Sequence, residues 1–132
     1  MIIGYDLDGT ICDGTPKRSK PYFKQTGLER KAYEQVKINH YRNANVVMRP
    51  NVDNFIIITG RNEKYREVTR EWLKANNINP EALYMHKGQR TRKEMIAFKL
   101  KTCREYHVSL YYEDDPKIAK ALVSPEMTVI LV

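Results

Sequence analysis

The sequence predicts an α/β fold in one domain, a five-stranded parallel sheet flanked by helices. Three observations predict it. Five short apolar runs recur along the 132 residues, with helical patterns between them. One run, Phe55–Ile58, is apolar at every position, as in a central strand covered on both faces. Strands that alternate with helices close through right-handed crossovers into a parallel sheet.

Taken in order, the first strand is Met1–Tyr5. An insertion at about 12–50 follows, with a weakly periodic helix at Leu28–Arg42. The second strand is Asn54–Thr59. Asn62 then caps a helix that runs through Asn76, with Tyr65, Val68, Trp72 and Leu73 on one stripe and Asn76-Asn77 as its stop. The third strand is Ala82–His86, and a helix spans Thr91–Tyr106. The fourth strand, Val108–Glu113, leads into a short helix at Pro116–Val123, where Asp114-Asp115-Pro116, taken alone, reads as an N-cap with proline in the first helical turn. The last strand is Met127–Val132. No internal repeat or low-complexity tract interrupts this order.

Hydrophobic residues make up 42% and charged residues 30%, as expected of a globular domain covering 1–132. No apolar run approaches the roughly 20 residues that span a bilayer, so no membrane is expected as a partner. The N-terminus has no basic region followed by an apolar stretch and cleavage site. Cys12 and Cys103 are read as free thiols in a reducing cytoplasm. The net charge is +7, and the segment from Arg61 to Arg104 supplies all of it, with twelve Lys/Arg against five Glu. Residues 86–104, HKGQRTRKEMIAFKLKTCR, hold seven of those basic residues and only Glu94 against them, which points to a polyanionic partner.

In parallel α/β sheets the working site lies beyond the carboxyl ends of the strands. There the chain places Asp6-Leu7-Asp8, Thr59-Gly60-Arg61 and Glu113-Asp114-Asp115. Carboxylates so grouped make a site for a hard octahedral cation such as Mg²⁺, which is expected to remove the repulsion between Asp6 and Asp8. One carboxylate can attack phosphorus while the second, two residues on, handles the leaving-group proton. Thr59 offers a hydroxyl, Gly60 lets backbone N–H groups approach a phosphate, and a lysine supplies positive charge. Asp13-Gly14-Thr15 repeats the triplet Asp8-Gly9-Thr10 without a strand before it, and reads as a turn.

These residues carry a resemblance. DLDGT (6–10), TGR (59–61), a helical lysine and EDD (113–115) occur in the order found in the haloacid dehalogenase superfamily. The resemblance implies a Rossmann-like domain with Asp6 as nucleophile and Asp8 as general acid/base. It further implies Thr59 and a lysine as phosphate ligands, and Mg²⁺ held around Asp6, the Asp8 carbonyl and Asp114, with Asp115 beside them. The second aspartate is typical of the superfamily's phosphatases, and Glu113 departs from the usual pattern.

Lys93, Lys99 and Lys101 compete for the lysine role. A helical wheel with Ile96, Leu100, Cys103 and His107 as the buried stripe sets Lys99 roughly 40° from its centre, Lys93 about 80° and Lys101 nearly opposite, which favours Lys99. Residues 59–73 and the basic stretch 14–22 are similar to the 3′-phosphatase domains of phage-type polynucleotide kinases. That likeness implies Gly60, Arg61 and either Arg18 or Lys17 as substrate-binding residues. No kinase GxxxxGK[ST] loop is present. The interval Thr59–Lys99 has no room for an inserted cap, so the site is expected to be essentially capless and open to a nucleic acid end. Tyr22, Phe23 and Tyr41 are read as packing residues. The competing readings are a nucleotide or other small-molecule phosphatase, a phosphoacceptor signalling domain, and a nucleic-acid-binding module that retains the fold.

Overall fold

The structure, a computed structural model, describes residues 1–14 and 27–132. Its elements are β1 (Ile2–Tyr5), α1 (Gly27–Asn43), β2 (Ile56–Asn62), a 3₁₀ turn (Glu63–Tyr65), α2 (Arg66–Ala75), β3 (Ala82–His86), α3 (Arg92–Glu105), β4 (Val108–Glu113), α4 (Pro116–Leu122) and β5 (Thr128–Leu131). The sheet has the order β3-β2-β1-β4-β5 and every pairing is parallel. The order reverses between β1 and β4, so the crevice expected of such sheets opens at their carboxyl ends.

The apolar run in β2 explains why this sheet needs two covering layers. Ile57 packs with Tyr5, Leu7, Trp72 and Leu73 on one side, whereas Ile56 and Ile58 pack with Cys103, Tyr111, Ile118 and Leu122 on the other. Ile57 and Ile58 are both fully buried, each contributing about 2–3 kcal/mol through burial. Cys12 belongs to the first cluster and Cys103 to the second, and both are free thiols.

Helix ends follow local chemistry. The Asn62 side chain accepts from Lys64 N at 2.9 Å and caps the 3₁₀ turn rather than α2 directly. At the other end Asn77 takes a left-handed conformation, φ 56°, and Ile78 N returns to Leu73 O at 2.9 Å. Thr91 caps α3 and Asp115 caps α4. Between β2 and α3 the chain holds only the turn, α2 and β3, so no cap is inserted there. Among the described residues no helix is long and apolar enough to cross a membrane.

Two expectations are corrected. The second strand begins at Ile56 and runs to Asn62, because Asn62 pairs with His86 after a register shift beyond Thr59. On α3 the buried residues are Lys99, Thr102 and Cys103, so Lys99 lies within the buried face rather than beside it. His107 falls beyond the helix, exposed, with φ 57°.

Candidate active site

The turn after β1 aims the two aspartates. The Leu7 carbonyl accepts from Thr10 N, Ile11 N and Cys12 N at 3.0–3.1 Å, which curls residues 7–12 tightly while Leu7 itself is fully buried. Asp6 continues the β1–β4 pairing through Asp6 N to Tyr112 O at 2.9 Å, so its side chain meets the end of β4. Asp8, past the bend, meets the end of β2 instead.

Each aspartate has its own cation. Lys99 Nζ lies 2.6 Å from Glu113 Oε1 and 3.2 Å from Asp6 Oδ2, with the lysine only 2% exposed. Burial works against the ammonium, but Asp6 and Glu113 outweigh it and hold its pKa above the ordinary value. Glu113 is fixed from the other side, since its Oε2 accepts from Asp114 N and Asp115 N at 3.1 Å. Arg61 serves Asp8: Nη2 donates to Oδ1 at 2.6 Å and Nε to Oδ2 at 3.2 Å. Its third edge donates to Thr69 Oγ1 at 2.8 Å, and the guanidinium stacks 3.8 Å above the Tyr41 ring of α1.

Asp6, Glu113 and Asp114 each bring a carboxylate oxygen within 4.8 Å of the others. Lys99 answers only part of that charge. Burial, which outweighs the Lys99 attraction, and the neighbouring carboxylates push Asp6 up to about 7. Asp114 is likewise raised, by desolvation and then by Asp6. Three hard oxygen donors with uncompensated negative charge fit a divalent cation such as Mg²⁺. Gly9, at φ 80°, lies directly against the Asp114 carboxylate, where any Cβ would collide with it.

These groups line a cavity of about 300 Å³ at the carboxyl ends of the strands, together with Thr59, Gly60, Met95 and Arg90. A larger hollow lies at the start of β4, lined by Cys103, His107 and Leu122, away from the rim's carboxylates. Thr59 Oγ1 accepts from Arg61 N at 3.1 Å, and the Met95 side chain packs against Gly60.

Among the residues expected from sequence, Asp6, Asp8, Thr59, Gly60, Lys99 and Asp114 converge on this cavity. Asp115 also borders it, but its carboxylate is engaged elsewhere: Oδ1 caps α4 at Lys117 N and Ile118 N, and Oδ2 meets Arg92 at 3.2 Å. It stands outside the three-carboxylate cluster, as does the side chain of Asp8. Arg61, expected to hold substrate, is 2% exposed and directs its donors at Asp8 and Thr69. Lys93 and Lys101 are exposed. Tyr41 is buried beneath Arg61, as a packing residue should be. Asp13 Oδ2 accepts from Asn45 N and Nδ2, tying down the return of the insertion. Lys17, Arg18, Tyr22 and Phe23 lie outside the described residues. Glu113, which the sequence places at the rim but marks as a departure from the superfamily's pattern, is the closest carboxylate to Lys99, at the last position of β4.

No family model matches the chain, and no curated protein matches it. Among solved structures, a chain of the Pnkp1/Rnl/Hen1 RNA repair complex is similar, with 18% sequence identity and a TM-score of 0.66. The likeness covers 98% of this chain and 41% of that one, so this chain spans less than half of that chain's length. What the likeness shows is the fold, an α/β domain with a five-stranded parallel sheet.

Proposed function

We propose that the protein is a Mg²⁺-dependent phosphomonoester hydrolase that works through an aspartyl-phosphate on Asp6, with nucleic acid 3′-phosphate ends as substrates. The observation that carries this reading is the placement of Asp6: a buried carboxylate between the Lys99 ammonium and the Glu113/Asp114 carboxylates, facing an open cavity. The order of DLDGT, TGR, lysine and EDD, which resembles the haloacid dehalogenase superfamily, supports the same chemistry. The fold shared with a chain of an RNA repair complex supports the nucleic acid substrate.

The residues divide the work. Asp6 attacks phosphorus with the carboxylate oxygen that Leu7 N does not hold, the N–H fixing the other at 2.8 Å. Lys99 and the Thr59 hydroxyl stabilise charge on the phosphoryl oxygens. Asp8 gives a proton to the departing oxygen and later takes one from the water that hydrolyses the acyl-phosphate. Arg61 occupies one lone pair on each Asp8 oxygen and the Cys12 thiol donates to Oδ1 at 3.7 Å, so of the carboxylate's about four acceptor sites the one left for the reaction is on Oδ2. Asp6, Glu113 and Asp114 would hold Mg²⁺, which supplies Lewis-acid neutralisation of the phosphoryl group.

The test is a substrate panel with and without Mg²⁺: an aryl phosphate, a 3′-phosphorylated oligonucleotide, its 5′-phosphorylated counterpart, a nucleoside monophosphate and a sugar phosphate. Asp6→Asn should lower turnover by several orders of magnitude, as loss of an essential catalytic group does. Retention within tenfold would remove Asp6 as nucleophile. Preference for the nucleoside monophosphate over the oligonucleotide would make this a nucleotide phosphatase.

A further inference from the structure

The side of the site that holds Asp8 carries a cluster of positive charge unused in the chemistry just described. It is assembled from three separate elements: Lys37 of α1, Lys64 of the 3₁₀ turn and Arg90 of the β3–α3 loop. Arg90 is exposed and lines the cavity. Half-buried Lys37 holds its ammonium 5.2 Å from the Tyr33 ring centre and 5.4 Å from that of Tyr65, where the ring faces orient it. Lys64 also stands over the Tyr65 ring, at 5.1 Å from its centre.

Among the described residues, Glu34 is the one carboxylate in salt-bridge contact with any of these three cations, and it is already engaged. Glu34 accepts from the Tyr65 hydroxyl and pairs with Lys64 at 3.2 Å. Among the described residues neither Lys37 nor Arg90 has a carboxylate within salt-bridge distance. Burial first, and then repulsion from Arg90 and Lys64, hold the Lys37 pKa below its ordinary value, against the pull of Glu34 and Asp8. An ammonium held in that setting costs free energy that a bound anion would offset.

The loop that carries Arg90 is built rather than loose. The buried His86 ring donates through Nε2 to the Gln89 carbonyl at 2.6 Å, Gly88 sits against the same ring, and Thr91 caps α3. The Lys37 side of the site is also anchored, since Tyr41 of α1 packs in one cluster with Tyr65 of the 3₁₀ turn and Val68 of α2.

We infer that Lys37 and Arg90 form a second phosphate site, which takes the phosphate one nucleotide away from the phosphomonoester at Asp6. The inference rests on the phosphatase reading for its geometry. Asp8 protonates the departing oxygen, so the nucleoside leaves on the Asp8 side, and the strand attached to it continues toward Lys37 and Arg90. The anion there is the internal phosphodiester of an oligonucleotide or the 5′-phosphate of a nucleoside 3′,5′-bisphosphate. Both present the same chemistry to two cations.

The experiment compares three ligands: a nucleoside 3′-monophosphate, a nucleoside 3′,5′-bisphosphate and a 3′-phosphorylated dinucleotide. Steady-state kinetics are measured on wild type, Lys37→Met, Arg90→Ala and Lys101→Met, whose exposed lysine serves as a charge control. Each lost charge-assisted contact should reduce kcat/KM for the two longer ligands by about 10- to 100-fold. The loss for the monophosphate should be at least tenfold smaller, and Lys37→Arg should restore most of the difference. A preference for the dinucleotide over the bisphosphate assigns the site to a polynucleotide strand, and the opposite preference assigns it to a nucleotide. Calorimetric binding of the same ligands to Asp6→Asn protein provides a readout without turnover. If binding discriminates among the ligands through Lys37 and Arg90 while wild type hydrolyses none of them, the phosphatase reading fails and the second phosphate site stands. If Lys37→Met and Arg90→Ala affect all three ligands equally in both assays, the second site is overturned.

Discussion

Arg61→Met tests whether Asp8 depends on a buried guanidinium for its place. Arg61 is 2% exposed and makes four side-chain hydrogen bonds, two to Asp8, one to Thr69 and one to the Cys12 sulfur, beneath a stack on Tyr41. Methionine keeps much of the packing volume but leaves the Asp8 carboxylate without its cation. Removing one partner of a buried pair costs about 3–5 kcal/mol, because the survivor is an uncompensated charge. The Asp8 side chain retains 13% exposure, so water recovers part of that and the lower end, about 3 kcal/mol, is expected. Asp8→Asn removes the opposite charge, and the double variant should lose about 2 kcal/mol less than the sum of the two single variants. The assay is urea unfolding at neutral pH in EDTA, read by Trp72 fluorescence, for wild type and all three variants. A loss below about 1 kcal/mol for Arg61→Met, or a coupling energy near zero, would refute the claim that this pair organises the Asp8 side.

Other outcomes follow from the same geometry. Asp114→Ala should weaken Mg²⁺ binding in calorimetry far more than Asp115→Ala, whereas Asp115→Ala should cost about 1 kcal/mol of stability through its lost helix cap. Reversal of that order in the metal titration would put Asp115 in the metal site. Lys99→Met should destabilise by about 3 kcal/mol, because Glu113, 1% exposed, loses its cation, and Lys93→Met and Lys101→Met should each stay within about 0.5 kcal/mol. Equal losses at all three lysines would contradict the buried network. In metal-free protein the folded state holds the Asp6 proton more tightly than the unfolded chain does, the pKa rising from 3.8 to about 7. Stability should therefore fall as pH climbs through that window, by at most about 4 kcal/mol from this group, and Asp6→Asn should remove the slope. A wild-type minus variant difference that is constant from pH 4.5 to pH 8 in EDTA would show that burial does not hold the proton.

Much of the fold was legible because local and tertiary preferences agree. Ala82–His86 and Val108–Glu113 occupy the residues expected of them, since apolar residues there coincide with clear turn or capping residues on either side. The end of β2 was not legible. Gly60, Arg61 and Asn62 have weak strand preference, and they extend the strand only because β3 pairs with Asn62 beyond the register shift. The buried face of α3 was misjudged for a related reason. Its buried members are a lysine, a threonine and a cysteine, so apolar periodicity alone could not centre it.

The same distinction separates Asp6 from Asp8. From sequence, two carboxylates two residues apart suggest one shared problem of repulsion with a metal ion as its remedy. In the folded chain they turn apart at Leu7, and each meets a cation from a different element, Lys99 of α3 for Asp6 and Arg61 of β2 for Asp8. Arg61 stands 53 residues from Asp8, so no local spacing in the sequence could announce their pairing. The charge that remains uncompensated is instead gathered where β1 and β4 end side by side, in Asp6, Glu113 and Asp114. One lysine faces three carboxylates there, and on the phosphatase reading a divalent cation would answer that imbalance rather than the Asp-x-Asp pair. On the same reading, an aspartate whose side chain is held by its own buried arginine stands apart from the metal cluster and would move protons in both halves of the phosphoryl transfer.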